Sequence, residues 1–266
     1  MFINYARIPR RPASPAVFAY AAREGSCPAL FILLITGGII RTGMPGYKII
    51  SKINNGVFTT HGLLVSLEGI DGCGKTTQVA LLQARLEQNQ IPFIAVREPG
   101  GTAVGEGIRQ VLLQSSYSLT AEAELLLYMA ARAELSRQVI IPALLKGRLV
   151  LCDRFTDSTL AYQGYGAGMD LQWIKQLNRK ATAGRLPDLT FLLNLSAEAA
   201  AARRGNPPDR MEKKDLRYHR RVQRGYLEIA RYEPERVAVL DAAIDAEALG
   251  DEIWHRLCKH LEKESQ

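Results

Sequence analysis

The stretch Gly69-Ile-Asp-Gly-Cys-Gly-Lys-Thr76 limits what this chain can fold into more than any other. It follows the apolar run Leu63-Leu-Val-Ser-Leu67 and precedes Thr77–Leu86, whose pattern is helical, so the motif G-x-x-x-x-G-K-[ST] stands between a strand and a helix. The glycines let backbone N–H groups close around phosphate oxygens, and the helix N-terminus adds a field that favours anions. Lys75 is placed to reach the β- and γ-phosphates, and the Thr76 hydroxyl to ligate Mg²⁺. The ligand read from this stretch, Gly69 through Thr77 with Ile70, Asp71, Gly72, Cys73 and Gly74 between, is a nucleoside triphosphate. Cys73 is read as a small residue filling a variable loop position.

From His61 onward, strand and helix patterns alternate. Short apolar runs at Leu63–Leu67, Pro92–Val96, Arg148–Cys152, Leu189–Leu195 and Arg236–Leu240 predict five buried strands. Helical patterns at Thr77–Asn89, Val104–Gln114, Ala121–Lys146, Asp170–Ala183, Ala197–Arg204, Lys214–Tyr232 and Ala246–Lys263 separate or follow them. Such alternation implies a three-layer α/β/α domain around a five-stranded parallel sheet, with ligands bound beyond the carboxyl ends of the strands.

Charge tests the idea of a polyanion partner. The 266-residue chain carries a net charge of +7, but residues 1–60 hold seven Arg and Lys against Glu24 alone, leaving +1 for residues 61–266. The folded part is close to neutral, which argues against nucleic-acid binding. Cys27, Cys73, Cys152 and Cys258 show no CxxC or metal-ligand spacing, which suits a reducing, cytoplasmic compartment. The apolar run from Ala29 to Ile35 is too short to span a bilayer, so no membrane partner is expected. Residues 1–60 match neither a transit peptide nor a signal peptide well. They are expected to be a poorly ordered extension, with Met44 a plausible start.

The strand ends carry the remaining candidates. Arg97-Glu-Pro-Gly-Gly101 delivers an arginine where an anion would lie, and Asp153-Arg154 follows with a carboxylate suited to the Mg²⁺ side and a second guanidinium. Two arginines at two strand ends exceed the need of one triphosphate and point to a second phosphorylated substrate. Tyr128 and Arg132, four apart on one helix face, could stack on a base and donate to its edge, or simply pack and pair with a carboxylate. Ser158 with Tyr162, and Thr159 with Gln163, also recur at i, i+4. The basic loop Arg203-Arg-Gly-Asn-Pro-Pro-Asp-Arg210 reads as a lid over about residues 203–213.

This ordered set resembles thymidylate kinase over residues 61–266. The resemblance rests on Leu67-Glu-Gly-Ile-Asp-Gly-Cys-Gly-Lys-Thr-Thr77, Arg97-Glu-Pro-Gly-Gly101, Tyr128-Met-Ala-Ala-Arg132, Asp153-Arg-Phe155 and Ala161-Tyr-Gln-Gly164. Arg185-Leu-Pro-Asp188, Asp209-Arg-Met-Glu212, Arg221 and Gly225-Tyr-Leu-Glu228 extend it. It implies the phosphate-loop nucleoside-monophosphate kinase fold, Mg²⁺-dependent transfer from ATP to dTMP, and a homodimer. It also implies that Asp71 holds the sugar 3′-hydroxyl or helps at the metal, and that Arg97 and Arg154 bind the dTMP phosphate. By the same resemblance Tyr128 stacks on thymine, Arg132 contacts its O4, Thr159 and Gln163 approach the base edge, and Tyr162 lies under the deoxyribose. The phosphate loop contains no arginine, so the resemblance is to the subclass whose lid supplies catalytic arginines, here Arg203, Arg204 and Arg210. Another phosphate-loop nucleotide or deoxynucleoside kinase is the alternative. A switch-type NTPase is disfavoured because no N-K-x-D element is present.

Overall fold

The computed structural model describes residues 62–114, 116–203 and 209–263, with the backbone of 35–36 and 39–40. The chain divides into two units, residues 1–50 and 51–266. In the first, β1 (Ile35–Thr36) and β2 (Ile39–Ile40) pair antiparallel, Ile35 opposite Ile40, in a run with no strand period in the sequence. The rest of the expectation for residues 1–60 lies outside the described residues, as does Arg204 in the lid.

The second unit holds β3 (Leu64–Glu68), β4 (Phe93–Arg97), β5 (Leu149–Asp153), β6 (Leu189–Asn194) and β7 (Val237–Asp241) in one parallel sheet of order β4-β5-β3-β6-β7. Burial follows that order. Every residue of β3 is buried, and β5 and β6 are buried up to their last residue, whereas the edge strands β4 and β7 expose part of their length. Alternate residues of the central strands face two different cores. Val65, Leu67, Leu149 and Leu151 pack with Leu82, Leu86, Leu257 and Val222, while Leu64, Val150 and Cys152 pack with Leu135, Ile140 and Phe155. Apolar surface is therefore covered on both faces of the sheet, which is the three-layer arrangement the alternation implies.

Helices α1 (Lys75–Gln88), α2 (Ala103–Leu113), α6 (Leu171–Ala181), α7 (Ala197–Arg203), α8 (Leu216–Tyr232) and α9 (Ala246–Lys263) lie within a few residues of their sequence patterns. Side-chain caps from Thr102, Asp170 and Asp215 satisfy N–H groups at the starts of α2, α6 and α8.

The single helix expected over Ala121–Lys146 is instead three pieces: α3 (Ala121–Leu135), a π-helical turn Ser136–Ile140, and α4 (Ile141–Leu145). Pro142 has no N–H, and its ring crowds the carbonyl four residues back, so a regular α-helix cannot run through this point. The chain widens there, and Ile141 N–H donates to Ser136 O, five residues earlier. A second π segment, Leu160–Gly166, continues the short helix α5 (Thr156–Thr159). α8 lies against it so closely that a Cβ on Gly225 would come within 2.6 Å of Tyr165 Cβ.

Candidate active site

The strand register assembles the site at one end of the sheet. Arg97, the last residue of β4, lies opposite Asp153, the last residue of β5, and Asp153 lies opposite Leu67 of β3. Glu68 and the phosphate loop follow Leu67 directly. Arg97, Asp153 and the phosphate loop, from distant stretches, are thus neighbours because parallel strands end together.

Gly69, Gly72 and Gly74 adopt φ of 142°, 89° and 97°. At Gly69 a Cβ would also meet Leu193 O at 2.6 Å, so neither the conformation nor the space admits a side chain. Lys75 Nζ is buried, donating to Gly69 O and Ile70 O at 3.1 Å each, with Cys73 Sγ 3.7 Å away. The loop therefore curls around the ammonium, and the first N–H groups of α1 have no side-chain cap and no intrahelical partners.

A cleft of about 620 Å³ runs from this loop along the strand ends. Residues 71–78, Arg97, Asp153, Arg154 and Arg203 line it, and its far end is walled by Ala242, Ile244, Ala246 and Leu249. The sequence reading missed that apolar end, because a turn between β7 and α9 carries no motif. Arg203 reaches the same end, donating to Ala242 O at 3.0 Å. Thr76 and Asp153 both face the cleft and offer the hard oxygen donors that Mg²⁺ takes, supplemented in such sites by phosphate and water. Among the described residues no group of three or more His, Cys, Asp or Glu could hold a metal by itself.

A second cavity of about 90 Å³ opens from the same region. Pro99, Leu113, Tyr128 and Met211 give it apolar walls; Arg132, Thr159 and Gln163 give it polar ones. Asp71, Glu98, Arg109, Arg154 and Asp209 line both cavities and so mark their junction. Arg109, on α2, went unremarked in the sequence, where nothing separates it from a helix-surface arginine. Burial, and then the positive charge of Arg97, lower its pKa, as expected where guanidinium groups converge on a place for an anion.

Arg154 is the centre of the junction. Its φ is +70°, and its Nη2 donates to Asp71 Oδ1 at 2.5 Å while Nη1 donates to Gly69 O at 2.9 Å. The guanidinium lies 5.2 Å from the centre of the Tyr162 ring, whose hydroxyl donates to Asp71 Oδ2 at 2.7 Å. Ser158 Oγ and Tyr226 OH stand 3.2 and 3.3 Å from Nη1. Behind them Glu68 is fully buried, accepting from Phe155 N at 2.7 Å, Ser158 Oγ at 2.6 Å and Tyr226 OH at 3.0 Å. Burial above all, with the charge of Asp157 adding to it, pushes the Glu68 carboxyl up to about 7.

Two candidates stand differently from their sequence expectation. Arg132 is 1% exposed and spends all five N–H donors on protein: Nε and Nη2 on Glu98, Nη2 also on Phe155 O, and Nη1 on Thr159 Oγ1 and Asn178 Oδ1. A guanidinium has five such donors, so none remains for a base oxygen, and the residue orients Thr159 and Glu98 instead. Arg210 does not reach the phosphate loop. It is buried, donating from Nε to Leu112 O at 2.7 Å and from Nη1 to Glu124 Oε2 at 2.6 Å. Its position beside a buried carboxylate, and not over the cleft, follows from the short turn Asp209–Glu212 that the Asp209 side chain ties down. Of the lid arginines, Arg203 alone lies on the cleft among the described residues.

The family model described as thymidylate kinase matches residues 67–253. A thymidylate kinase of Kosmotoga olearia is 46% identical over 203 residues, covering 76% of this chain and 98% of its own. One from Pelotomaculum thermopropionicum is 50% identical over 186 residues, covering 68% and 86%. The crystal structure of thymidylate kinase from Ehrlichia chaffeensis superposes with a TM-score of 0.61 at 34% identity, covering 74% of this chain and 98% of that one.

Proposed function

The chain belongs to the thymidylate kinase family, and from that premise we infer that it transfers the γ-phosphoryl group of ATP to dTMP, giving ADP and dTDP. The observation that carries this reading is the junction itself, where Arg109 and Arg154 line both the phosphate-loop cleft and a base-sized pocket, with Arg97 on the cleft side. ATP occupies the larger cleft, its phosphates in the loop of residues 69–77 and its adenine against Ala242, Ile244 and Leu249. dTMP enters the smaller cavity, its base beside Tyr128 and the polar edge of Thr159 and Gln163, its phosphate among the three arginines. Tyr162 and Asp71, already hydrogen-bonded to each other, face the sugar.

The chemistry is positioning and charge. The acceptor oxygen of a phosphate monoester is ionised near neutral pH, so no general base is needed. Lys75 and the arginines hold the two phosphates in line and offset the charge that spreads over the group in flight. When bound, Mg²⁺ would be held by the Thr76 hydroxyl and the Asp153 carboxylate and would neutralise phosphate charge. Arg203 is the lid arginine assigned to the ATP side. Among the described residues no helix is long and apolar enough to cross a membrane; the cysteines without disulfide or metal-ligand spacing support assigning the enzyme to the cytoplasm.

Replacing Lys75 tests the reading. Lys75→Ala is expected to lower kcat at least about 100-fold, a loss typical of removing one preorganised charge, with an unchanged circular dichroism spectrum. Retention of more than a tenth of the wild-type turnover would contradict it.

A further inference from the structure

Three side chains from distant stretches form a chain of hydrogen bonds that starts at the wall of the smaller cavity, where Gln163 lines it, and runs behind that wall. Glu124, on α3, is buried; its Oε1 accepts from Gln163 Nε2 at 2.7 Å and its Oε2 from Arg210 Nη1 at 2.6 Å. Arg210 is itself fixed from the other side by Leu112 O, at 2.7 Å from Nε. Both carboxylate oxygens of Glu124 act as acceptors here, one toward a guanidinium, which can only donate. The carboxylate therefore dictates which way the Gln163 amide is turned, with its NH₂ group toward Glu124.

The consequence falls on the other half of the amide. Gln163 is 1% exposed and lines the 90 Å³ cavity, and its Oε1 takes no hydrogen bond from the described residues. We propose that Glu124, clamped by Arg210, is a positioning residue for base selection: it fixes Gln163 so that a carbonyl oxygen, and not an amide N–H, is offered to the base edge. That acceptor matches the N3–H of thymine or uracil and opposes the N3 lone pair of cytosine. A free glutamine could rotate its amide and serve either pattern, so the discrimination resides in Glu124 and Arg210 as much as in Gln163. This rests on the assignment of the smaller cavity to dTMP. Arg210 belongs to the turn Asp209–Glu212 at the end of the lid stretch, so the same pair ties that turn to Gln163.

Steady-state kinetics of the full-length enzyme with dTMP and with dCMP test the assignment. Glu124→Gln, whose amide can both donate and accept, is expected to reduce the ratio of kcat/KM for dTMP over dCMP about tenfold, the scale of one hydrogen bond. The loss should come through the KM for dTMP, with the KM for ATP unchanged. Added to Gln163→Leu, the same substitution should reduce the ratio no further, because its effect passes through Gln163. Arg210→Lys, which keeps the charge and loses the second anchor, should move the ratio in the same direction by less, and it serves if Glu124→Gln folds poorly. An unchanged ratio in these variants, or equal rises in both KM values, would overturn the role of Glu124 while leaving the kinase reading intact. A wild-type enzyme inactive on dTMP would instead overturn the functional reading beneath it.

Discussion

Glu68 ends the central strand with a carboxylate that no solvent reaches, and its consequence can be measured. Its Ser158 and Tyr226 partners each donate a hydroxyl proton to it and keep oxygen lone pairs toward Arg154 Nη1, so the ionised form best supports the guanidinium at the junction. Burial opposes that form and raises the carboxyl to about 7 from its ordinary 4.5. A raised carboxyl pKa means that the folded state binds more protons than the unfolded state between those two values. The contribution of Glu68 to stability is therefore full below about pH 4.5 and is lost as pH rises through 7. Glu68→Gln cannot ionise. The wild-type advantage in thermal midpoint over this variant is expected to shrink between pH 5 and pH 8, by an amount corresponding to roughly 1–3 kcal/mol. A difference that stays constant with pH would contradict the account.

At the scale of elements, legibility depended on whether a signal is local. Continuous apolar runs marked all five strands to within about a residue, and the loop glycines announced the turn between β3 and α1. Pro142 was equally visible in the sequence, but the helical pattern on both sides concealed that the chain must widen to pass it. The π segment Leu160–Gly166 had no such marker, although Thr159 with Gln163, and Ser158 with Tyr162, the pairs at i, i+4, all line the smaller cavity. Helix faces carry one more statement. α3 packs against both α2 and α6, and these three helices leave Val104, Val111, Leu126 and Trp173 exposed by 36–55%. Apolar side chains on adjacent helices suit the homodimer that the family resemblance implies. Light scattering of the wild type is expected to give twice the 29.4 kDa chain mass, and Leu126→Glu to shift it toward that of one chain. A monomeric wild type would contradict the assignment of this face.

For the molecule as a whole, the sequence motifs named the parts of the site but not their roles. Asp71, Arg97, Asp153 and Arg154 were legible because each closes a strand or lies in the phosphate loop, and parallel strands end at one place. Spacing locates the Arg132 and Arg210 guanidinium groups without showing their acceptors, and for Arg132 it leaves base contact and carboxylate pairing both open. Glu98 and Glu124, from other elements, take up their donors inside the fold. Glu68 and Tyr226 stand in the sequence only as members of longer motifs, and Arg109 in none, because the partners that give them a role lie on other elements. What the fold adds is continuity: the phosphate-loop cleft and the smaller cavity share Asp71, Glu98, Arg109, Arg154 and Asp209, so the two spaces proposed for the two substrates adjoin at one set of charged side chains. The most direct test is Mg²⁺-supported ATP consumption with dTMP, dUMP, dCMP, dGMP, AMP or no acceptor. The account predicts rapid turnover with dTMP and little with dCMP, dGMP or AMP; hydrolysis that needs no acceptor, or a preference for one of those three, would contradict it.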